Sequence, residues 1–314
     1  MRQLKFWLIG LLFIQIIVSG SLFWVNYISS LENKPIQLLN IDWANVDKFT
    51  IEDTVGGITI LKSDDSWLLS NQELPVSDVD INKFLYNLMT LKTGWPIARL
   101  PSSHERFKVS ENKFIRRVEL FSKNQSLGKL LFGTSIGLRQ SNVRAINDDN
   151  IYNAKLDTLD ISANIEDWFD KSLISANDIS QIKGRNYSLK RIGAIWQFDQ
   201  SGPSILLGKR TLGRLDQSKV SNLELALTKL KIHKITSFKP NSQENISENF
   251  KLYVVDDIGE WTYTFIKFDR KFYVNRNDRK EYFTLKEEVY KSIAAITQLK
   301  LLAESPEVAE RNKN

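Results

Sequence analysis

The chain has 314 residues, of which 42% are hydrophobic and 25% charged, with 43 Lys and Arg against 37 Asp and Glu. This length and apolar content exclude a disordered tail and are typical of one large or two modest folded domains. Zero cysteine and only two histidines exclude a disulfide scaffold, a thiolate zinc site, a catalytic cysteine and a multi-histidine metal centre. The net charge of +6 is mild for this size, so nucleic acid is not an expected partner.

An uncharged apolar run, residues 6–27, follows a short N-terminal segment, residues 1–5, that carries Arg2 and Lys5. A helix of this length spans about 33 Å, enough for a hydrocarbon core of about 30 Å. The two positive side chains predict that residues 1–5 stay in the cytoplasm. We therefore expect a single-pass anchor that contacts the lipid bilayer through residues 6–27, with the bulk of the chain in the periplasm. The alternative is a cleaved signal peptide, for which Val18–Gly20 offers small residues.

The pattern after a polar linker, residues 28–40, predicts strands followed by a helix. Val46–Ile51 and Gly57–Leu61 are β-branched runs joined by a Gly-containing turn, and Trp67–Leu69 is a third short strand. Ser77 is placed as the N-cap of a helix. One face of this helix carries the apolar stripe Ile81, Phe84, Leu88 and Leu91.

The same arrangement returns 139 residues later, which indicates an internal duplication. Strand-like runs with Trp196 precede Asp216, which takes the N-cap position of Ser77. The apolar stripe of the second helix is Val220, Leu223, Leu227 and Leu230.

Further strands and a terminal helix follow in each half. The first half is expected to end in a helix through Trp168, and the second in a helix from Thr284, which forms a capping box with Glu287. The predicted stripe of that last helix is Leu285, Val289, Ile293, Ile296 and Leu299.

The predicted fold class is α+β: an N-terminal transmembrane helix and two similar repeats of mainly antiparallel strands, with helices packed on one face. The predicted domains are a first α+β repeat at residues 41–175, a second at 176–304 and a polar tail at 305–314.

The pattern resembles the DUF4340 family of bacterial proteins. The resemblance rests on the Trp67 hairpin with Pro75, on Leu131–Gly133 leading to Val143-Arg144 and Ile151-Tyr152, and above all on Asp167–Leu173 followed by Asp178-Ile179. It implies an extracytoplasmic repeat tethered to the bacterial inner membrane, sometimes associated with ABC transporters of the gliding-motility type. It implies no catalytic residues.

One segment, Gly133–Gly137, fits the G-x-S-x-G nucleophile elbow, with Ser135 as the serine and His233 downstream. An elbow needs a strand before it and a helix after it, whereas the residues that follow, Val143–Ile146, are strand-like. We therefore interpret the glycines as a loop between antiparallel strands. A serine hydrolase built on Ser135 remains a remote alternative.

The histidines and the acidic pairs are also interpreted as structural. His233 is placed at a helix end and His104 in a polar loop. The pairs Asp64-Asp65, Asp148-Asp149 and Asp256-Asp257 could suggest glycosidase carboxylates or a calcium loop, but each lies at a predicted hairpin turn. No catalytic, cofactor-binding or metal-binding residue and no cofactor is therefore predicted.

Two basic stretches mix with aromatic residues, Arg270–Lys280 around Phe272 and Tyr273, and Arg106–Arg117. Such a mixture can bind nucleic acid or anionic lipid. Acidic residues interrupt both, and strand alternation would place the aromatic rings inward and the charges outward. We interpret both stretches as solvated hairpin faces.

The function expected from these observations is non-enzymatic. The leading hypothesis is an extracytoplasmic interaction module, an accessory subunit of an ABC-type transport or cell-envelope complex, with a membrane protein partner such as ABC transporter components. The alternative is a tethered binding domain for a small molecule or an envelope polymer.

Overall fold

The structure, a computed structural model, describes residues 2–32, 36–64, 66–134, 137–199, 214–236 and 248–303. The chain divides into two compact units, Met1–Phe169 and Asp170–Asn314. The sequence pattern predicted the boundary between the two repeats at residues 175 and 176. The predicted tail, residues 305–314, lies outside the described residues.

The first unit contains the helices α1 (Arg2–Glu32) and α2 (Asp78–Met89). Short 3-10 helices occupy Trp43–Asn45, Pro101–Ser103, Thr158–Asp160 and Ile165–Asp167. Its described strands are β1 (Ile36–Gln37), β2 (Lys48–Glu52), β3 (Gly57–Ser63), β4 (Ser66–Leu69), β5 (Leu74–Pro75), β6 (Lys92–Thr93), β7 (Val109–Ser110), β8 (Lys113–Phe114), β9 (Arg116–Ser122), β10 (Gln125–Phe132), β11 (Ser141–Ala145) and β12 (Tyr152–Ala154).

The second unit contains α3 (Gln217–Thr228), α4 (Glu287–Ala294) and a 3-10 helix at Leu299–Leu301. Its described strands are β13 (Gln181–Lys183), β14 (Ser188–Ile192), β15 (Ile195–Phe198), β16 (Lys234–Thr236), β17 (Glu248–Val255), β18 (Glu260–Phe268), β19 (Lys271–Arg276) and β20 (Tyr282–Leu285).

The two large sheets share one strand order. The first is a 10-stranded sheet, β1-β6-β12-β11-β10-β9-β2-β3-β4-β5, and the second an 8-stranded sheet, β15-β14-β13-β17-β18-β19-β20-β16. When β1 and β5 are left out and the first order is read backwards, it becomes β4-β3-β2-β9-β10-β11-β12-β6. Each of these strands then corresponds to the strand at the same place in the second sheet, and the corresponding strands follow one another in the same order along the chain. Strands β7 and β8 form a separate two-stranded sheet. Neighbouring strands pair antiparallel throughout the described sheets, as hairpins and long returns require.

The predicted α+β class is wrong, because the described protein is mostly antiparallel β-sheet with few helices. The stretch before Trp168 forms only 3-10 turns, at Thr158–Asp160 and Ile165–Asp167. The predicted last helix is shorter than expected, since Thr284 lies in β20, where it pairs with Tyr273. Lys286, not Thr284, is the N-cap of α4. Strand pairing therefore takes residues that the sequence pattern had assigned to helices.

The prediction of a transmembrane helix over residues 6–27 is contradicted as well. A helix, α1, does cover this stretch. Crossing a bilayer takes about 20 consecutive apolar residues. The continuous stretch of α1 with described side chains, residues 10–25, is shorter and includes Gln15, Ser19 and Ser21. Among the described residues, no helix is long and apolar enough to cross a membrane.

The two duplicated helices form as their sequences predicted. Ser77 accepts a hydrogen bond from the Asp80 N–H, and Asp216 accepts from the first-turn N–H groups of α3, so both predicted N-caps are confirmed. Both predicted apolar stripes are buried: Ile81, Phe84, Leu88 and Leu91 on α2 and just after it, and Val220, Leu223, Leu227 and Leu230 on α3 and just after it.

An aromatic cluster fixes α2 against the first sheet. Phe49 of β2 packs against Trp67 of β4 and Phe84 of α2, with ring centroids 5.5 and 5.1 Å apart. Trp168 closes the cluster edge-on, 5.1 Å from Phe84. Trp168, which lies in the stretch Asp167–Leu173 that carries the family resemblance, is therefore a core residue. It buries a large apolar surface where the helix crosses the sheet.

Strand β15 is an edge of the second sheet, and a glutamine covers its backbone. The side-chain amide of Gln217 accepts from the Trp196 N–H (3.0 Å) and donates to the Trp196 carbonyl (2.8 Å). In the first unit a backbone strand takes the equivalent place, since the Val76 N–H donates to the Trp67 carbonyl at 2.9 Å. Exposed edge strands promote pairing with other chains, so both units block the same edge by different means.

We predict that Gln217→Ala uncovers this edge. The variant leaves the Trp196 N–H and carbonyl without the amide, and should lower the free energy of unfolding by about 1–2 kcal/mol. Light scattering should show more self-association than in the wild type. The matched control is Gln197→Ala, which removes an exposed glutamine side chain of β15 itself. Equal urea midpoints and equal scattering for the two variants would contradict the role assigned to Gln217.

Candidate functional site

The elbow-like segment connects antiparallel strands, as the sequence analysis interpreted it. Gly133 follows β10, and Gly137 forms a bridge with Gln140 just before β11. Ser135 itself lies outside the described residues. Gly133 is required for packing, because a Cβ there would lie 2.0 Å from the Phe107 carbonyl oxygen. The glycine spacing therefore has a steric explanation at its first position.

We predict different outcomes for alanine at the two glycines. Gly133→Ala should cost about 2–3 kcal/mol of unfolding free energy, because its Cβ would collide with backbone that cannot move aside cheaply. Gly137→Ala should change the stability by less than about 0.5 kcal/mol, since its Cβ would meet only the Gln140 Oε1 at 4.0 Å. Chemical denaturation of both variants measures the difference. Similar losses would show that the close approach of Phe107 is not the constraint.

His104 and Arg144 hold one hairpin turn. The buried His104 ring places Nε2 2.9 Å from the Asp149 carbonyl oxygen. Arg144, also buried, donates from Nε to the Val109 carbonyl (2.8 Å) and from Nη1 to the Asp148 carbonyl (3.0 Å). Burial lowers the pKa of the Arg144 guanidinium. These side chains satisfy backbone carbonyls of a turn, which explains their burial without catalysis.

In the second unit an asparagine side chain bonds the carbonyls of the equivalent turn. Val143 pairs with Phe132 just as Val274 pairs with Phe265, so Arg144 and Asn275 occupy equivalent positions. Asn275 Nδ2 donates to the Arg279 and Glu281 carbonyls at 2.9 and 2.7 Å. The polar residue at this register position therefore closes the turn after the strand in both units.

The pairs Asp148-Asp149 and Asp256-Asp257 lie between paired antiparallel strands, as predicted. Asp256 accepts from the N–H groups of Ile258 and Gly259 at 2.9 Å, and from Asn177 at 3.1 Å. Its burial raises the pKa of the carboxyl, but these hydrogen bonds outweigh burial and hold the pKa below its ordinary value. Asp65 lies outside the described residues.

The other imidazole, His233, is exposed and lies beyond the helix end that the sequence predicted for it. Helix α3 ends at Thr228, and the His233 N–H donates to the Thr284 carbonyl at 2.8 Å. Within the described ranges, no group of three or more His, Asp or Glu side chains could hold a metal ion.

One basic residue departs from the predicted solvated face. Phe272 and Tyr273 are buried as expected, but Arg276 is only 7% exposed. Its guanidinium lies 4.4 Å from the Trp261 ring and makes a two-armed contact with Asp278, at 2.7 and 2.9 Å. It also donates to backbone carbonyls at residues 173 and 175. The prediction is wrong here because Arg276 shares a face of β19 with the buried Phe272 and Val274, beneath residues 173–175.

The second basic stretch is paired on the surface. Arg116 lies 3.5 Å from Asp53, and Arg117 forms an ion pair with Glu52. Arg106 is exposed and stacks 4.7 Å from the Phe107 ring. These contacts agree with a solvated face on which two arginines are held by acidic partners.

The Arg276–Asp278 pair predicts a pH dependence. Burial raises the pKa of Asp278, but the hydrogen bonds and charge of Arg276 outweigh it and hold the pKa below its ordinary value of 3.8. A carboxyl whose pKa is lowered on folding adds stability at pH values above its ordinary pKa. This stability is lost as the pH falls through the pKa of the folded state. The wild type should therefore lose stability below about pH 4.

Arg276→Met should lower the unfolding free energy at neutral pH by about 2–3 kcal/mol, because it leaves Asp278 and two carbonyls short of a partner. The difference in unfolding free energy between the variant and the wild type should become smaller below about pH 4. Urea titrations from pH 3 to 7 measure this difference. The control is Lys271→Met, which changes an exposed residue of the same strand. A gap that stays constant with pH would contradict this coupling.

The remaining candidate is a polar cleft in the first unit. It has a volume of about 440 Å³ and lies at the C-terminal end of α2. Sites for small molecules commonly measure about 300–1,000 Å³. Its lining contains two lysines and no acidic side chain: Asn87, Thr90, Leu91, Lys92, Gly94, Gln140, Asn153 and Lys155.

Strand register brings the lysines together. Thr93 pairs antiparallel with Ala154, the last residue of β12, so Lys92 and Lys155 follow that pair as neighbours in the lining of the cleft. The pairing of Ser141 with Ala154 brings Gln140 beside them. Cross-strand neighbours share a face, so both lysines and the glutamine form one row. Thr93, Ala154 and Ser141 are buried on the other face.

The carbonyls at the end of α2 are already satisfied. Thr90 Oγ1 donates to the Tyr86 carbonyl at 2.7 Å, and Gln37 Nε2 donates to the Met89 carbonyl at 3.1 Å. On the other side, Asn153 Nδ2 donates to Gln140 Oε1 at 2.9 Å, which orients that amide pair. The partial negative charge of the helix end is therefore reduced where it borders the cleft.

Sequence reasoning did not find this cleft. Its residues come from three separate segments, 87–94, 140 and 153–155. The segments meet because β6, a strand of only two residues, pairs with β12. Such a short strand has no recognisable alternation, so no sequence signal marked the meeting point.

Comparison with known proteins identifies one family. A family model described as a domain of unknown function (DUF4340) matches residues 67–251, more than half of the chain. The match includes every residue that lines the cleft. No curated protein and no solved structure matches the chain.

Proposed function

The chain belongs to the DUF4340 family, and we propose that it acts as a non-catalytic interaction module, an accessory subunit of an ABC-type transport or cell-envelope complex. The observation that supports this most is an exposed apolar loop in the first unit, residues 94–100. In this loop Trp95 is 48%, Ile97 43% and Leu100 66% exposed.

The backbone of this loop is fixed. The Ile97 N–H donates to the Ile151 carbonyl, and the Ile151 N–H donates to the Ala98 carbonyl, both at 2.8 Å. Arg99 lies 4.7 Å from the Trp95 ring. A preorganised backbone lowers the entropic cost of association, and exposed Trp and Arg are the side chains that most often dominate binding energy. The loop therefore has the composition and rigidity of a protein-binding surface.

The buried charged side chains support the same proposal. Arg144, Arg276 and Asp256 all bond backbone groups near turns. Their burial is explained by folding, so they do not favour an enzymatic function. The exposed apolar side chains of the loop have no such explanation, because water contact costs about 25 cal/mol per Å² of apolar surface.

The proposal predicts a position-specific cross-link. A photo-reactive amino acid at position 97 of the full chain, expressed in its native host, should cross-link to a component of a transport or envelope complex. Adding Trp95→Ser and Arg99→Ser should lower the yield at least about fivefold, since the indole ring and the guanidinium supply the anchors. Mass spectrometry of the cross-linked bands identifies the partner.

The matched control is the same photo-reactive residue at position 55, where an apolar side chain is 94% exposed in a hairpin turn. This position should give no such band. Equal yields at both positions, or no transport or envelope component in any growth condition, would refute the proposal.

A further inference from the structure

We propose that the cleft at Lys92 and Lys155 binds a small hydroxylated molecule that carries a phosphate or carboxylate group. This inference goes beyond the proposed interaction function, because it requires no protein partner. It rests on charge, register and lining, all within the first unit.

The charge arrangement is unfavourable without a ligand. The pairing of Thr93 with Ala154 brings the residues next to them, Lys92 and Lys155, into the lining of one cleft, where like charges repel each other. Neither lysine has an ion-pair partner among the described residues, and no acid lines the cleft. An anionic group between the two lysines would remove the repulsion and gain charge-assisted hydrogen bonds.

The second unit keeps one lysine of this kind, since Leu230 takes the position of Leu91 and Lys231 therefore that of Lys92. The next residue is buried in both units, Thr93 in the first and Ile232 in the second. The helix dipole favours a cation near the end of α2, which explains Lys92 in part but not Lys155.

The rest of the lining indicates a hydroxylated ligand. Asn87 and Gln140 contribute amides, which both donate and accept hydrogen bonds, as hydroxyl groups also do, and the hydrogen bond from Asn153 orients the Gln140 amide. Leu91 contributes an apolar side chain beside them. The two cations and the amides, beside an apolar wall, favour a sugar acid or sugar phosphate, whose ring has both hydroxyl groups and apolar C–H faces.

The test is calorimetric titration of the full chain with three probes that share one sugar ring: glucose 6-phosphate, glucuronate and glucose. Binding of either anion, with glucose at least about tenfold weaker, is the expected result. Preference for the phosphate or for the carboxylate then identifies the ligand class. Equal binding of glucose, or no binding of either anion, would overturn the proposal.

Variants locate the site. Lys92→Gln and Lys155→Gln should each weaken anion binding at least about tenfold. The control pair, Lys62→Gln and Lys113→Gln, removes two lysines of the same unit that do not line the cleft. Equal losses in the control pair would show only a general charge effect and would refute the site.

A second measurement separates ligand binding from a structural role. Without an anion, Lys155→Gln should melt at the wild-type temperature or above it, because the repulsion with Lys92 is gone. With glucose 6-phosphate at constant ionic strength, the wild type should gain melting temperature and the variant should not. A lower melting temperature of the variant without ligand, together with an unchanged ligand response, would contradict the proposal.

Discussion

The constraint on which both units depend is one long-range strand pairing. The strand after the central helix, β6 or β16, does not pair with its neighbour in sequence but with the last strand of the sheet, β12 or β20. The helix therefore connects strands near opposite ends of the sheet, and it must run across the sheet face to do so. Its buried stripe follows from this path, because the face it crosses is the apolar one. In the first unit the same pairing also creates the cleft, since it brings the end of α2 beside β12.

The two units keep this constraint and differ in how they satisfy the backbone around it. One edge is covered by β5 in the first unit and by the Gln217 side chain in the second. Arg144 holds the turn after β11 in the first unit, and Asn275 holds the turn after β19 in the second. In both places the backbone group that needs a partner is the same, while the residue type is free to change. Hydrogen-bond satisfaction, rather than residue identity, is therefore what the duplicated fold preserves.

The sequence predicted the local elements well and the layered class poorly. The caps Ser77 and Asp216 and their stripes depend on neighbours within one helix, so periodicity was sufficient. The prediction of Thr284 as an N-cap was wrong, because a threonine is suited both to an N-cap and to a strand. Only its pairing with Tyr273 decides between the two. Arg276 was assigned to solvent for a similar reason, since the loop that covers it is distant in sequence. The cleft depends wholly on such distant pairings and had no local signal.

The surface features that could serve a function are concentrated in the first unit, in the segment after α2. It carries Lys92 of the cleft and, a few residues later, the exposed Trp95 loop. The corresponding segment after α3 carries Lys231 at the position of Lys92 and then continues into β16. After a duplication, one copy of a segment can keep closing the core while the other is free to acquire exposed and charged residues. The exposed tryptophan and the two lysines of the cleft do not help to close the core of the first unit, and side chains that break the local rules of the fold in this way are typical of functional surfaces.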